Sequence, residues 1–369
     1  MPNDKCQIKK FPLLPFSQLV YDMTRWMPGI YRFPFTYTWL GGAKDKNRIE
    51  QAIRTALHNH PVFQMRVDRH GRQYLSQLND ILHGPYHDIT ITANGEDLVI
   101  GLTISRILGD GRSGEILLED VHRAFEGFPL EQDDYWGYLE YVEQQKKSKH
   151  YHNSREWLIA EFADESIPVR PTTDRRLWTL LPPKAGLYKV DYTDLRDKIQ
   201  ALSDTQYLSM DGFFSLCTAL AIAEYCGTDE AALTWAYEGR ETPEEQRVFG
   251  SLHRDIPFKL NVKSQMSNLK SDLIREARNQ MRAGIAHSDY PYTLTPPYDK
   301  RWNYAVNVLR VPDDLPLQKY AYALLDVEIH EHHPQDLSLW FRYSATHYKE
   351  SSIRRFATLV HKYAEWLLQ

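Results

Sequence analysis

The sequence predicts an α/β (α+β) chain built as two layered lobes, on three observations. Segments with helical spacing of apolar residues alternate with strand-like segments in both halves. Between the halves the texture changes: Pro168, Pro171, Pro182 and Pro183 fall among threonines and arginines, the composition of a linker. The 369 residues are enough for two domains, at roughly 100–200 residues each. The expected division is an N-terminal lobe over 1–165, a linker over 166–184 and a C-terminal lobe over 185–369.

In the first half, Ser17 is the expected N-cap of a helix carrying Leu19, Tyr21, Met23 and Trp26, stopped by Pro28-Gly29. Tyr31 to Leu40 alternates Phe33, Phe35, Tyr37 and Trp39, a strand ended by Gly41-Gly42. Asn47 to His58 places Ile49, Ala52, Ile53 and Ala56 at helical spacing and stops before Pro61. Val62–Val67, Gln73–Leu78, Ile89–Thr92 and Leu98–Ser105 read as strands, with hairpin turns at Arg69–Arg72 and Asn94-Gly95. Gly114–Phe125 and most of Tyr135–Phe162 read as helices. In the second half, strands are expected at Leu187–Val190, Ala232–Tyr237, Trp302–Leu309, Tyr320–Ile329 and Leu337–Tyr343. Helices are expected at Leu195–Leu202, Ser209–Tyr225, Leu269–Ala283 and Ser351–Leu368.

Composition removes several functional classes. With 42% hydrophobic and 25% charged residues the chain is of the soluble globular kind. It has no apolar run of the roughly 18 residues a membrane span needs. Met1 to Phe16 lacks the apolar core of a signal peptide, so a cytoplasmic protein is expected. A net charge of -5 argues against nucleic acid as a partner, because phosphate binding needs cationic surface. Cys6, Cys217 and Cys226 have neither disulfide nor zinc spacing, and the latter two sit in an apolar helix where thiols are inert. The 23 tyrosines and 9 tryptophans suit either a core or a pocket lining. Gly109 to Gly114 is glycine-rich but lacks the lysine of a phosphate loop, and no GxSxG or HExxH pattern occurs.

Several segments, taken in order, resemble the condensation domains of nonribosomal peptide synthetases, relatives of chloramphenicol acetyltransferase. Pro12 to Gln18 is similar to the opening L-S-x-x-Q segment, and His60-Pro61-Val62-Phe63-Gln64-Met65-Arg66 to R-H-P-x-L-R. An apolar helix, Gly227-Thr228-Asp229, the strand Ala232–Tyr237 and Gly239-Arg240 follow in the family's order. Val248-Phe249-Gly250 with Ile256-Pro257-Phe258-Lys259 resembles a further family stretch. The resemblance covers about Phe11 to Leu368 and implies two acetyltransferase-like lobes forming a pseudo-dimer around a central channel.

Where the family carries HHxxxDG, this sequence reads Ser105-Arg106-Ile107-Leu108-Gly109-Asp110-Gly111-Arg112-Ser113, so Asp110, Gly111 and Ser113 are kept and both histidines are absent. In active relatives the second histidine positions or deprotonates the group that attacks a thioester. Arg106 stands in its place, and a guanidinium stays protonated and has no lone pair to offer. Ser105 has no base of its own. Three roles are open for Arg106: a structural ion pair, stabilisation of an oxyanion or anionic substrate, or an unrelated reaction. His253 is the one histidine placed to substitute as base.

The resemblance makes Asp110 a structural residue paired with an arginine. Arg240 is the candidate partner, with Arg112 and Arg106 as competitors, and Gly111 is expected to let the chain turn into a helix near Ser113. Tyr237, Gly109 and Ser113 are candidates for lining the channel. His330, His332 and His333 are expected in an exposed turn with solvated Glu328, Glu331 and Asp336, and no metal site is expected. His58 and His60 are expected to cap helix carbonyls.

The implied function is that of a condensation-domain-like protein in carrier-protein-dependent biosynthesis, atypical or inactive in amide formation. Its partners would be peptidyl or acyl carrier proteins and a tailoring enzyme that docks on it. The alternative is an acyltransferase that makes an amide or ester without a histidine base. No bound cofactor is expected; phosphopantetheine would arrive as a thioester on the carrier, or as coenzyme A. The pseudo-twofold symmetry is internal to a monomer.

Overall fold

Local sequence patterns account for most elements of the computed structural model, which describes residues 9–26, 31–176, 183–262, 269–294, 305–311, 321, 323–331 and 336–369. Cys6, Pro28-Gly29, Pro182, Trp302, Tyr320, His332 and His333 lie outside the described residues. The chain divides into two compact units, Met1–Gln145 with Glu238–His253, and Lys146–Tyr237 with Arg254–Gln369.

The first unit holds two three-stranded sheets. One pairs β1 (Phe11–Pro12) with β4 (Arg72–Leu75) and β3 (Met65–Val67). The other pairs β2 (Arg32–Trp39), β6 (Asp97–Ser105) and β5 (His87–Asn94), all antiparallel. Its helices are α1 (Pro15–Trp26), α2 (Lys46–Asn59), α3 (Gly111–Glu126), α4 (Tyr135–Gln145) and a short turn of helix at Pro243–Arg247. The expected stripe on α2 is buried at Ile49, Ala52, Ile53 and Ala56, with Leu57 added, the i, i+3, i+4 pattern of a core-facing helix.

Three local expectations change. Ser17 lies inside α1 and donates its hydroxyl to the Ile107 carbonyl at 3.0 Å, so it ties the helix to the loop after β6 and is not an N-cap. The expected strand Val62–Val67 begins as a 3-10 turn, Pro61–Gln64, because Pro61 opens a helical turn more readily than it joins a sheet. The helix expected from Gly114 starts at Gly111, whose backbone is not left-handed, so Gly111 is the first helical residue and not a hinge.

The second unit is built on one six-stranded sheet in the order β7-β12-β11-β10-β8-β9. The strands are β7 (Ala185–Asp191), β8 (Glu230–Tyr237), β9 (Arg254–Asn261), β10 (Asn307–Val311), β11 (Leu325–His330) and β12 (Ser338–Ser344). Only β10 is parallel to its two neighbours. The helices are α5 (Lys149–Phe162), α6 (Arg196–Gln206), α7 (Met210–Cys226), Leu269–Ala286 and the closing helix Glu350–Leu368. Nearly every residue of α7 from Met210 to Ala223 is buried, as expected for a helix apolar on all sides. Burial there pushes the Cys217 thiol well above its usual value, which keeps it unreactive.

The histidine-rich segment differs from its expected exposed turn. His330 and Glu328 are buried in β11, where Glu328 pairs with Arg342 of β12 at 2.7 Å and lies 3.2 Å from the His330 ring. The register sets Glu328 opposite Trp340, which puts Arg342 two residues along on the same face, and Trp340 stacks on His330 at 3.9 Å. Among the described residues no cluster of histidine, cysteine or carboxylate side chains is shaped to hold a metal ion. None of their helices is long and apolar enough to cross a membrane.

Candidate functional site

The loop after β6 is held by one carboxylate. Asp110 is the N-cap of α3: its Oδ1 accepts from the Ser113 backbone N–H at 3.1 Å, and its own N–H donates to the Ser113 hydroxyl, a closed capping box. The same carboxylate receives Arg240 in bidentate fashion, at 2.9 and 3.0 Å. The backbone N–H groups of Leu252 and His253 also donate to it, at 2.9 and 3.1 Å. Arg240 further donates to the carbonyls of Val248 and Gly250, so segment 238–253 is stitched to the start of α3. Burial pushes the Asp110 carboxyl up, but the guanidinium beside it wins and holds it below the usual range.

Arg240 is thus the arginine that meets Asp110. Arg112 is half-buried and pairs with Glu115 at 2.6 Å and Glu119 at 3.3 Å. Ser113 is fully buried and its hydroxyl lies 2.9 Å from the Gly250 carbonyl; Gly109 packs so closely that an added Cβ would come within 3 Å of Ser113 and Phe249. Ser105 is buried as well, and its hydroxyl accepts the Ile107 N–H at 3.3 Å. In the second unit Tyr237 ends β8 against Trp235, ring centroids 5.7 Å apart.

Arg106 leaves the end of β6 with its backbone N–H donated to the Tyr31 carbonyl at 3.0 Å. Its guanidinium lies half-buried over the Phe33 ring, 4.6 Å from the centroid. No carboxylate of the first unit pairs with it among the described residues. His253 shares this corner: its ring meets Phe16 edge-on at 4.1 Å, and Phe16 in turn meets Tyr31 edge-on at 6.1 Å. Burial, reinforced by the charge of Arg106, lowers the imidazole to about 4, so it is neutral near pH 7. Its Nδ1 is buried with no hydrogen-bond partner. The structure therefore gathers Arg106 and His253 beside the Asp110 knot, with Ser105 turned into the backbone.

Phe16 and Phe33 were not readable as site residues, since each sits on the apolar stripe of an ordinary helix or strand. His60 is a second omission and a correction. His58 does reach back to the Arg54 carbonyl at 2.7 Å, and the His60 backbone N–H caps α2 by donating to the Leu57 carbonyl at 3.3 Å, but the His60 ring takes no part in the cap. It is fully buried between Asp133 at 2.8 Å and Asp120 at 3.3 Å, while Arg247 reaches Asp120 at 3.0 Å. Burial lowers the His60 ring, yet the two carboxylates outweigh it and raise it above its usual value. Neither aspartate has a local sequence signal linking it to His60.

Comparison with known proteins bears on the family and the fold. A family model described as a condensation domain matches residues 90–296. A linear gramicidin synthase polypeptide from Brevibacillus parabrevis is 20% identical over 355 residues, spanning 79% of this chain. Malformin synthetase from Aspergillus tubingensis is 22% identical over 240 residues, 59% of this chain. The chain spans only 7% and 4% of the length of those two relatives. Among solved structures, an epimerization domain of tyrocidine synthetase B superposes with a TM-score of 0.77 at 16% identity, covering 98% of this chain and 97% of that one. A starter condensation domain of rhizomide synthetase in complex with C8-CoA gives 0.75 at 16%, covering 97% and 95%. These likenesses establish the acetyltransferase-like fold expected from the sequence.

Proposed function

The chain belongs to the condensation-domain family, and on that premise we propose that it serves carrier-protein-dependent biosynthesis of the nonribosomal peptide type as a docking module that has given up histidine-based amide formation. One observation carries the reading. The bidentate Asp110–Arg240 pair that frames the motif loop is formed, while Arg106 occupies the position where the family's proton acceptor is expected. A guanidinium cannot take a proton from an attacking amine. The frame is therefore kept and the base is gone.

The ligand would be a phosphopantetheine thioester on a peptidyl or acyl carrier protein. Coenzyme A is the alternative carrier of the same arm, in line with the C8-CoA held by the rhizomide starter domain. A tailoring enzyme is the further partner such a module would recruit. The linear lobe division at residues 166–184 belongs to the same proposal, as does action as a monomer.

A second reading, acyl transfer to an amine or hydroxyl without a histidine base, is favoured by the half-buried Arg106 guanidinium, which has no carboxylate of its unit as partner among the described residues and could stabilise an oxyanion. Incubation of the full chain with acyl-loaded carrier protein and a panel of amine and alcohol acceptors separates the two. The docking reading expects carrier binding with no product, in the unmodified chain and in Arg106→Ala alike. Product made by the unmodified protein and lost in Arg106→Ala overturns it in favour of the second.

A further inference from the structure

The corner formed by Arg106, His253, Phe16 and Phe33 has an unusual balance of charge and bonding. Arg106 and Arg240 bring two positive charges and Asp110 one negative, and His253 is neutral, so one positive charge is left over. Asp110 cannot supply the missing partner. Its oxygens already accept from Arg240, Leu252, His253 and Ser113. Arg106 is left with a planar cation laid on Phe33 and its donor fork without a carboxylate among the described residues of its unit.

His253 has a matching unmet atom. Its backbone is fixed by the bond to Asp110 and its ring by Phe16, while the buried Nδ1 meets no donor or acceptor. A buried polar atom left without a partner costs about 1–3 kcal/mol. That buried nitrogen beside a half-buried guanidinium with no carboxylate of its unit, each on a rigid support, has the form of a prepared binding site. An anion with two oxygens meets both demands, since one face takes the guanidinium fork and the other the imidazole N–H.

We propose that Arg106 and His253 form a binding site for the carboxylate of a small ligand, with Phe16 and Phe33 as its apolar walls. The proposal rests on the reading that the loop after β6 is a functional site, and it gives that site a substrate class: a molecule that presents a free carboxylate beside an apolar portion. Occupation places a negative charge against His253, opposing the effect of Arg106 and Arg240 on its ring. Binding is therefore coupled to proton uptake by His253 at acid pH. The charged groups facing the ring are Arg106, Asp110 and Arg240.

The test uses the full chain with propionate as the probe, propionamide as its neutral counterpart and inorganic phosphate as a different anion. The His253 ring is followed by NMR and assigned by comparison with His253→Gln. Propionate should raise the His253 titration from about 4, and the affinity for its ionised form should tighten as the pH is lowered. Arg106→Gln should weaken propionate about tenfold or more, through loss of a charge-assisted bidentate contact. Arg106→Lys, which keeps the charge and loses the fork, should fall between. Propionamide binding as well as propionate, phosphate binding more tightly than propionate, or a His253 titration unmoved by propionate would each overturn the proposal. Binding of loaded carrier protein is measured separately. Carrier bound without a propionate response sinks the carboxylate site alone; a propionate response without carrier binding sinks the docking function alone.

Discussion

Two buried charge clusters fasten distant segments of the first unit, and they are satisfied to different degrees. At Asp110 both carboxylate oxygens are fully used, by Arg240, Ser113 and the backbone of Leu252 and His253, although the Nε of Arg240 is buried without a partner. At His60 the ring is shared between Asp120 and Asp133, and Asp133 keeps one buried oxygen with no partner. Burial pushes the Asp133 carboxyl up, whereas Asp120, backed by His60, Arg247 and Asn59, is held down. The first cluster is a closed knot whose charges never change in the neutral range. The second depends on a proton. A fixed knot holds the geometry of the loop after β6 whatever the pH in that range.

The largest effect should come from opening the closed knot. Asp110→Ala leaves Arg240 buried and unpaired and frees the N–H groups of Leu252 and His253, so the loss should be on the order of 3–5 kcal/mol. Urea unfolding at neutral pH measures it. A loss below about 1 kcal/mol would mean that water reaches the site and the knot is not a closed one.

The proton-dependent cluster and His253 should give the stability profile two opposite slopes. His60 has a raised value in the folded chain, so its contribution is complete below the ordinary 6.5 and is lost as the pH rises through the folded value. His253 is lowered to about 4, so the unfolded chain takes up that proton first and stability falls as the pH drops from 6.5 toward 4. His60→Gln should flatten the alkaline slope. His253→Phe should make the acid slope shallower without abolishing it, because burial also lowers His87. Unfolding free energies from about pH 4 to well above 6.5 check both; slopes unchanged in both variants would dismiss the assignment.

What was legible in the sequence follows the same division between local and distant partners. The β5–β6 hairpin and α7 announce themselves through alternation, a turn at Asn94-Gly95 and an unbroken apolar run, all short-range signals. Asp110 and Arg240 could be matched because a family pattern supplied the long-range link. β9 was not foreseen: Pro257 interrupts it, and a proline is tolerated there because β9 is the edge strand of its sheet. Glu328 and His330 read as solvated because charge and histidine usually mark a turn. Pairing β11 between β10 and β12 buries them instead. His60 needed Asp120 and Asp133, sixty and seventy-three residues away, and no local rule connects them.

The smallest expected effect lies next to the largest in sequence and tests the same comparison from its weak side. Arg112 is two residues from Asp110, yet its side chain is half-buried along α3 and, among the described residues, pairs with Glu115 and Glu119. Those carboxylates are about half exposed, at 52% and 47%, so water already screens the pairs and neither is left buried when the arginine is removed. Arg112→Ala should therefore change the unfolding free energy by less than about 1 kcal/mol, and that small loss should shrink further in high salt. Asp110→Ala should respond little to salt. If Arg112→Ala were as damaging as Asp110→Ala, the closed knot would have to be drawn around Arg112, and Arg240 would lose its place as the partner that frames the loop.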